Sequence, residues 1–293
     1  MLAALTRLKD REHIAAMIAG VIARGGHERS DCGAISDALA LFPPEQATDV
    51  LGRIVSGSAE AALGACAALL ARAASGRFAG KPARLKAPVQ LLVEALPGEP
   101  KRNPEAEIRR HRTGVDAALI ADLVSVVDAV DADLARRSAA HCLAWPKIYG
   151  LDAVLVPALR KLASAKAKKQ TAERPAFERL RAACLTHLRA RAAEPLEPPP
   201  DWTRDADVRC QCAHCSALSR FLADPAAGTW TLKAAEPIRR HVADQIRAAA
   251  CDLTTTTERR GSPHGLVCTK TDASYRRRVV QRKQDLGDID VLG

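Results

Sequence analysis

The stretch PLEPPPDW, Pro195 to Trp202, restricts the chain more than any other. Four prolines within six positions withdraw backbone donors and fix φ, so neither a helix nor a central strand can pass through, and an extended spacer is what remains. The text differs on its two sides, and 293 residues are enough for two cores. The boundaries read from this are an α-helical repeat-like domain over 1–194, a proline-rich linker over 195–202, and a small α+β module over 203–293.

Before the prolines, helix follows helix. Aromatic residues make up only 3% of the chain against 47% hydrophobic residues overall, so the apolar content is Ala, Leu, Val and Ile, suited to helices packed through small side chains. Leu2, Leu5, Leu8, Ile14, Met17, Ile18, Val21 and Ile22 give one amphipathic helix ended by Gly25-Gly26. Ile35, Leu39 and Leu41 give a second. Pro43-Pro44 opens a third with Val50, Leu51 and Ile54, and Ser58 caps a fourth that runs past Leu69 and Leu70 to Gly76. Further helices are expected over 89–96, 115–130, 132–143, 151–162 and 172–193, with a surface loop, PGEPKRNPEAE, between Gly76 and Gly114. Short connections favour antiparallel neighbours. The expectation is a mainly α fold, an irregular HEAT-like helical-repeat array or a bundle, without a strict period.

After the linker a short helix is expected from Ser216 to Leu222, a turn at DPAAG and a second helix from Glu236 to Ala250. TTTTERR and GLVCTKT are β-prone runs around Gly261-Ser262-Pro263 and read as a hairpin. SYRRRVVQRKQDLG closes the chain as a helix that frays before Gly293.

The module opens with Cys210, Cys212 and Cys215, a C-x-C-x2-C knuckle whose thiolates can converge on one soft cation such as zinc. Reduced structural thiols or a redox pair are the competing reading. A fourth ligand must come from His214, His241, Cys251, His264 or Cys268. His214, wedged next to Cys215, chelates only with strain. His241 and Cys251 are ten positions apart on one helix, about 15 Å along its axis, so they cannot share an ion. His241, early in its helix, is the expected ligand, and His264 is the reserve. Three thiolates and an imidazole leave no open coordination position, which argues for structural zinc over catalytic zinc.

Enzyme signatures are missing: the sequence contains no H-E-x-x-H, no deaminase H-x-E, no G-x-S-x-G, no P-loop and no G-x-G-x-x-G. Cys32, Cys66, Cys142 and Cys184 are scattered in Ala/Leu-rich helical text, as small buried thiols are, and the odd total of nine fits a reducing cytoplasm. Charges interrupt the N-terminal apolar positions before a membrane span develops. The net charge of +10 allows attraction to nucleic acid or an acidic protein as readily as a solvated surface. Two basic segments can contact phosphates: RKLASAKAKKQ, and the run holding Tyr275, Arg276, Arg277, Arg278, Arg282 and Lys283.

The tail, from DWTRDADVRCQCAHCSALSRFL through IRRHV to GSPHGLVCTKT, resembles the C-terminal region of large 2-oxoglutarate and iron(II)-dependent oxygenase-like proteins. The similarity falls on Cys210, Cys212, Cys215, Phe221-Leu222, Pro225, Arg240-His241 and Gly261 to Lys270, and DAVLVPALRKL extends it into the helices. It implies an architecture and association with an oxygenase domain. The oxygenase itself needs H-x-D or H-x-E for its iron, and HIA, HER, HRT, HCL, HLR, HCS, HVA and HGL provide neither. The reading is therefore a non-enzymatic scaffold with a structural zinc, binding a protein or nucleic-acid partner. Its alternative is an accessory or separated part of such an oxygenase, acting in substrate capture.

Overall fold

The computed structural model describes residues 1–24, 27–98, 114–164 and 173–293. Gly25-Gly26, PGEPKRNPEAE beyond Gly98, the lysine-rich end of RKLASAKAKKQ and Ala172 lie outside them. The described residues form twelve α-helices and one three-stranded sheet. They group into two compact units, Met1–Ala190 with Gly287–Gly293, and Arg191–Leu286.

The first unit holds α1 (Leu2–Leu8), α2 (Arg11–Gly20), α3 (Cys32–Leu39), α4 (Pro44–Ser75), α5 (Lys86–Glu94), α6 (Ala117–Val130), α7 (Ala132–Ala144), α8 (Val156–Ser164) and α9 (Pro175–Ala193). The single helix expected over Leu2 to Ile22 is two. Lys9 turns left-handed at φ 55°, and the Asp10 carboxylate accepts the His13 N–H to start α2 afresh. Asp is worth more capping a new helix than inside an old one. The expected third and fourth helices are the two arms of the 32-residue α4, which meet at a kink rather than at a cap on Ser58. Ser58 lies inside α4, its hydroxyl donating back to the Ile54 carbonyl, a bond that satisfies serine without ending a helix. The helical dihedrals break four residues later, at Ala62 (φ −135°, ψ 40°).

α4 packs chiefly against α5 and α6, where Leu51, Ile54, Leu69 and Leu70 meet Leu119, Ile120, Leu123 and Val127 in one core. By length and composition α4 could cross a membrane, but half of its most apolar stretch is buried in this fold. Cys32, Cys66, Cys142 and Cys184 are all buried, and burial pushes the Cys142 and Cys184 thiols up to about 12.

α9 starts on a cap that is remote in sequence. The buried Asp128 carboxylate, on α6, accepts the N–H groups of Ala176 (2.8 Å) and Phe177 (3.1 Å), with Arg174 beside it at 4.0 Å. Asp128→Ala strands both donors and is expected to cost about 2–4 kcal/mol, against about half that for Asp128→Asn, which retains an acceptor. Urea denaturation of the full chain measures both; equal midpoints for wild type and D128A exclude the cap.

The second unit contains α10 (Ala213–Ala223), β1 (Thr229–Lys233), α11 (Glu236–Ala248), β2 (Leu253–Glu258), β3 (Gly265–Lys270) and α12 (Ala273–Leu292), whose last residues belong to the first unit. β2 and β3 form the expected antiparallel hairpin, joined through a cis Ser262–Pro263 peptide. β1 was not expected. It pairs with the other edge of β3, Trp230 opposite Cys268, to give the order β1-β3-β2. Thr-Trp-Thr-Leu carries the β-branched and aromatic signal of a strand, but its five residues lie between stronger turn and helix signals.

Leu218, Phe221 and Leu222 of α10, Leu232 of β1, Val242 and Ile246 of α11, and Leu266 and Cys268 of β3 make up most of this unit's core. Asp252 caps α12, accepting the Ser274 N–H at 2.9 Å and its hydroxyl. The end of α12 does not fray. Leu292 is 2% exposed in the first unit's core, and Arg181 donates to the Leu292 and Gly293 carbonyls.

Candidate metal centre

The proline run leads into an extended segment that ties to α10 through backbone bonds, Trp202 N–H to the Pro225 carbonyl and Arg204 N–H to the Leu222 carbonyl. This segment delivers Cys210 and Cys212 to the start of α10, and Cys212 is its N-cap residue. Cys215, in the first turn, is buried among the core residues. Pro237 stands in the first turn of α11, Val242 and Ile246 anchor that helix, and His241 is thereby aimed at the knuckle.

The four ligand atoms lie within 4.8 Å of one another. His241 Nε2 is 3.4 Å from Cys210 Sγ, 3.7 Å from Cys212 Sγ and 3.3 Å from Cys215 Sγ. One imidazole nitrogen carries at most one proton, so it cannot donate to three sulfurs at once. A tetrahedral ion explains all three distances. Metal–sulfur bonds of about 2.3 Å and a metal–nitrogen bond of about 2.1 Å at tetrahedral angles set sulfur and nitrogen about 3.6 Å apart. The cluster could hold a metal ion, and the residues present fit one.

The electrostatics differ across the knuckle. The Cys215 backbone N–H holds the exposed Cys212 thiol down at about 6, while burial pushes Cys215 up to about 12. Without a cation Cys215 stays a thiol at neutral pH, whereas a bound cation draws it into the thiolate form.

Of the other candidates weighed as ligands, none joins the cluster among the described residues. His214 is half-buried beside Cys215, His264 is exposed in the β2–β3 connection, and Cys268 faces the core from β3. The basic run on α12 is largely engaged with neighbours. Arg276 pairs with Asp272 at 2.9 Å, Arg277 with Asp252 at 3.6 Å, and Arg278 reaches the Pro195 carbonyl and Glu194. Tyr275 and Arg282 are half-buried and Lys283 is exposed.

Two cations escaped the sequence reading. Arg204 and Lys270 are 9% and 3% exposed, and both line a cavity of about 840 Å³ with Trp202. Period-two alternation in β3 does carry the signal, since Lys270 falls on the same face as Leu266 and Cys268. Compared with protein-family models, curated proteins and solved structures, the chain matches none.

Proposed function

We propose that the chain is a non-enzymatic binding scaffold, a helical-repeat array carrying a small module stapled by a structural zinc. The single observation that supports it is the convergence of Cys210, Cys212, Cys215 and His241 at tetrahedral spacing. Thiolate-rich sets favour soft, borderline cations, and zinc is the abundant one that adopts this geometry without redox chemistry. A closed set of four protein ligands has no vacancy for a reacting water, so its work is conformational. A reducing, cytoplasmic setting suits three metal-ready thiols and six further free cysteines.

Elemental analysis of the purified chain is expected to find one zinc per molecule. Cobalt substitution is expected to give the absorption of a tetrahedral thiolate site. His241→Ala should abolish stoichiometric zinc and His264→Ala should leave it intact. A folded module without bound metal would sink the proposal.

A second reading keeps the oxygenase connection. Most residues that carry the resemblance fall on the knuckle, α10, α11, and the β2–β3 connection with β3, and DAVLVPALRKL falls on the helical unit, at α8 and the turn before it. On this reading the chain captures substrate for an oxygenase made separately. Addition of the chain raising that enzyme's turnover is the supporting result, and no association between the two excludes it.

A further inference from the structure

The cavity beside the proline run presents chemistry that the metal centre does not use. It opens between Pro198–Trp202, the end of β3 and the start of α12, and is lined by four cations, Arg204, Lys270, Arg276 and Arg277, against two carboxylates, Asp201 and Asp272. Its size, about 840 Å³, is that of a small-molecule site.

The floor is unusual in its charges. Arg204 Nε donates to the Thr271 carbonyl and Nη1 to the carbonyls of Asp201 and Thr203, while Nη2 has no hydrogen bond among the described residues. Lys270 Nζ donates to the Asp224 carbonyl at 2.7 Å and stands 4.5 Å from the Phe221 ring centre. Neither cation has a carboxylate at ion-pair distance among the described residues. Asp201 accepts the Thr203 N–H at 2.7 Å, and the Asp224 and Asp201 carboxylates act on Lys270 only from beyond ion-pair distance. Burial, with Arg204 contributing, presses the Lys270 ammonium below the ordinary lysine range. Two neighbouring buried cations with no carboxylate in contact are compensated only at longer range, by Asp224 and Asp201, and an anion in the cavity supplies a direct counter-charge.

The wall adds an aromatic face. Trp202 is 45% exposed, and it rests on Gly228, where a Cβ would come within 3.3 Å of the ring. The Arg204 guanidinium carbon lies over the indole, 5.5 Å from its centroid, so a base that stacks on Trp202 does so beside or in place of that contact, with its phosphate next to the cations.

We propose that this cavity binds a nucleotide, free or within a single strand, its phosphate on Arg204 and Lys270 with Arg277 at the rim, and its base stacked on Trp202. The proposal gives the scaffold of the preceding section a partner class and uses none of the metal ligands.

The test is calorimetric titration of the metal-loaded full chain at low salt with 5′-AMP, adenosine, inorganic phosphate, a single-stranded twelve-nucleotide oligoadenylate and a polyglutamate peptide. AMP is expected to bind more tightly than adenosine or phosphate alone. Trp202→Leu should weaken AMP and the oligomer by about 10-fold or more, with Trp202→Phe restoring most of it, as loss and recovery of base stacking do. Arg276→Gln with Arg277→Gln should weaken phosphate-bearing ligands and leave adenosine unchanged. An oligomer much tighter than AMP and steeply salt-dependent marks a strand as the source, and equal affinities mark a free nucleotide.

No binding of either AMP or oligomer overturns the proposal, as does binding indifferent to both sets of variants. Saturable polyglutamate binding in place of nucleotide overturns it in favour of an acidic protein. Metal content measured in every sample separates the two claims. Metal without nucleotide binding defeats this inference alone, and nucleotide binding without metal defeats the zinc reading alone.

Discussion

Replacing Cys215 with serine is expected to strip the metal from the chain and melt the Arg191–Leu286 unit while the helical unit stays folded. Two effects combine at this position. The thiol is fully buried in the first turn of α10, within 3.3 Å of His241 Nε2, so its loss removes a ligand and buries a hydroxyl among Leu218, Phe221 and Val242. Structural zinc in small modules contributes about 10–16 kcal/mol of apparent binding energy, which is folding energy where no site survives unfolding. Only ten buried apolar residues form this unit's core among the described residues, against fifty-one in the other. A core that small supports a few kcal/mol, so the loss exceeds the margin.

Circular dichroism and metal analysis of C215S should therefore show two thermal transitions collapsing to one, and a chelator should reproduce this in the wild type. Cys268→Ala is the internal control. Cys268 is equally buried in the same core but lies outside the ligand set, so the variant should lose about 1–2 kcal/mol and keep its metal. Loss of metal from C268A and not from C215S is the result that defeats the assignment.

The second large effect is expected from two glycines of one helix. Gly52 and Gly57 both interrupt α4, where alanine is better by about 1 kcal/mol. At Gly52 an added Cβ meets nothing within 4 Å, so Gly52→Ala should stabilise the helical unit by about 0.5–1 kcal/mol. At Gly57 the same atom would stand 1.8 Å from the Ala23 carbonyl oxygen. That oxygen is backbone, held in the 3-10 turn Ile22–Arg24, and cannot swing away as a side-chain tip does. Gly57→Ala must push the turn off α4, costing about 3 kcal/mol or more after the helical gain. Opposite shifts of the unfolding midpoint are the expected signature. A stabilised G57A would show that the turn yields freely.

Residue text was sufficient where the cause is local. Pro195 to Pro200 stopped a helix wherever they fell, Asp131 caps α7 from its own sequence neighbourhood, and apolar periodicity found α5 to α9 within a few residues. The knuckle was legible for the same reason. Three cysteines in six positions meet within one turn, and only His241 had to be found across some thirty residues, from its place early in its helix. The α12 basic run was legible as charge but not as availability, since Asp252, Asp272 and Glu194 draw on its arginines.

Other features depend on atoms far apart in sequence. Asp128 and Asp252 look like ordinary surface carboxylates, yet each is buried enough to cap a helix belonging to another part of the chain. Ser58 reads as a helix start because serine caps well, but its hydroxyl bonds back to Ile54 and the break falls four residues later, at the Ala62 kink. Sequence alone determined most of the helices, the β2–β3 hairpin and the composition of the cysteine knuckle, because dihedral limits, apolar spacing and short-range proximity act over a few residues. Tertiary structure alone decided which glycine tolerates a side chain, and where Arg204 and Lys270 gather their charge. Steric exclusion and charge compensation are set by whatever the fold brings near, and no local pattern records it.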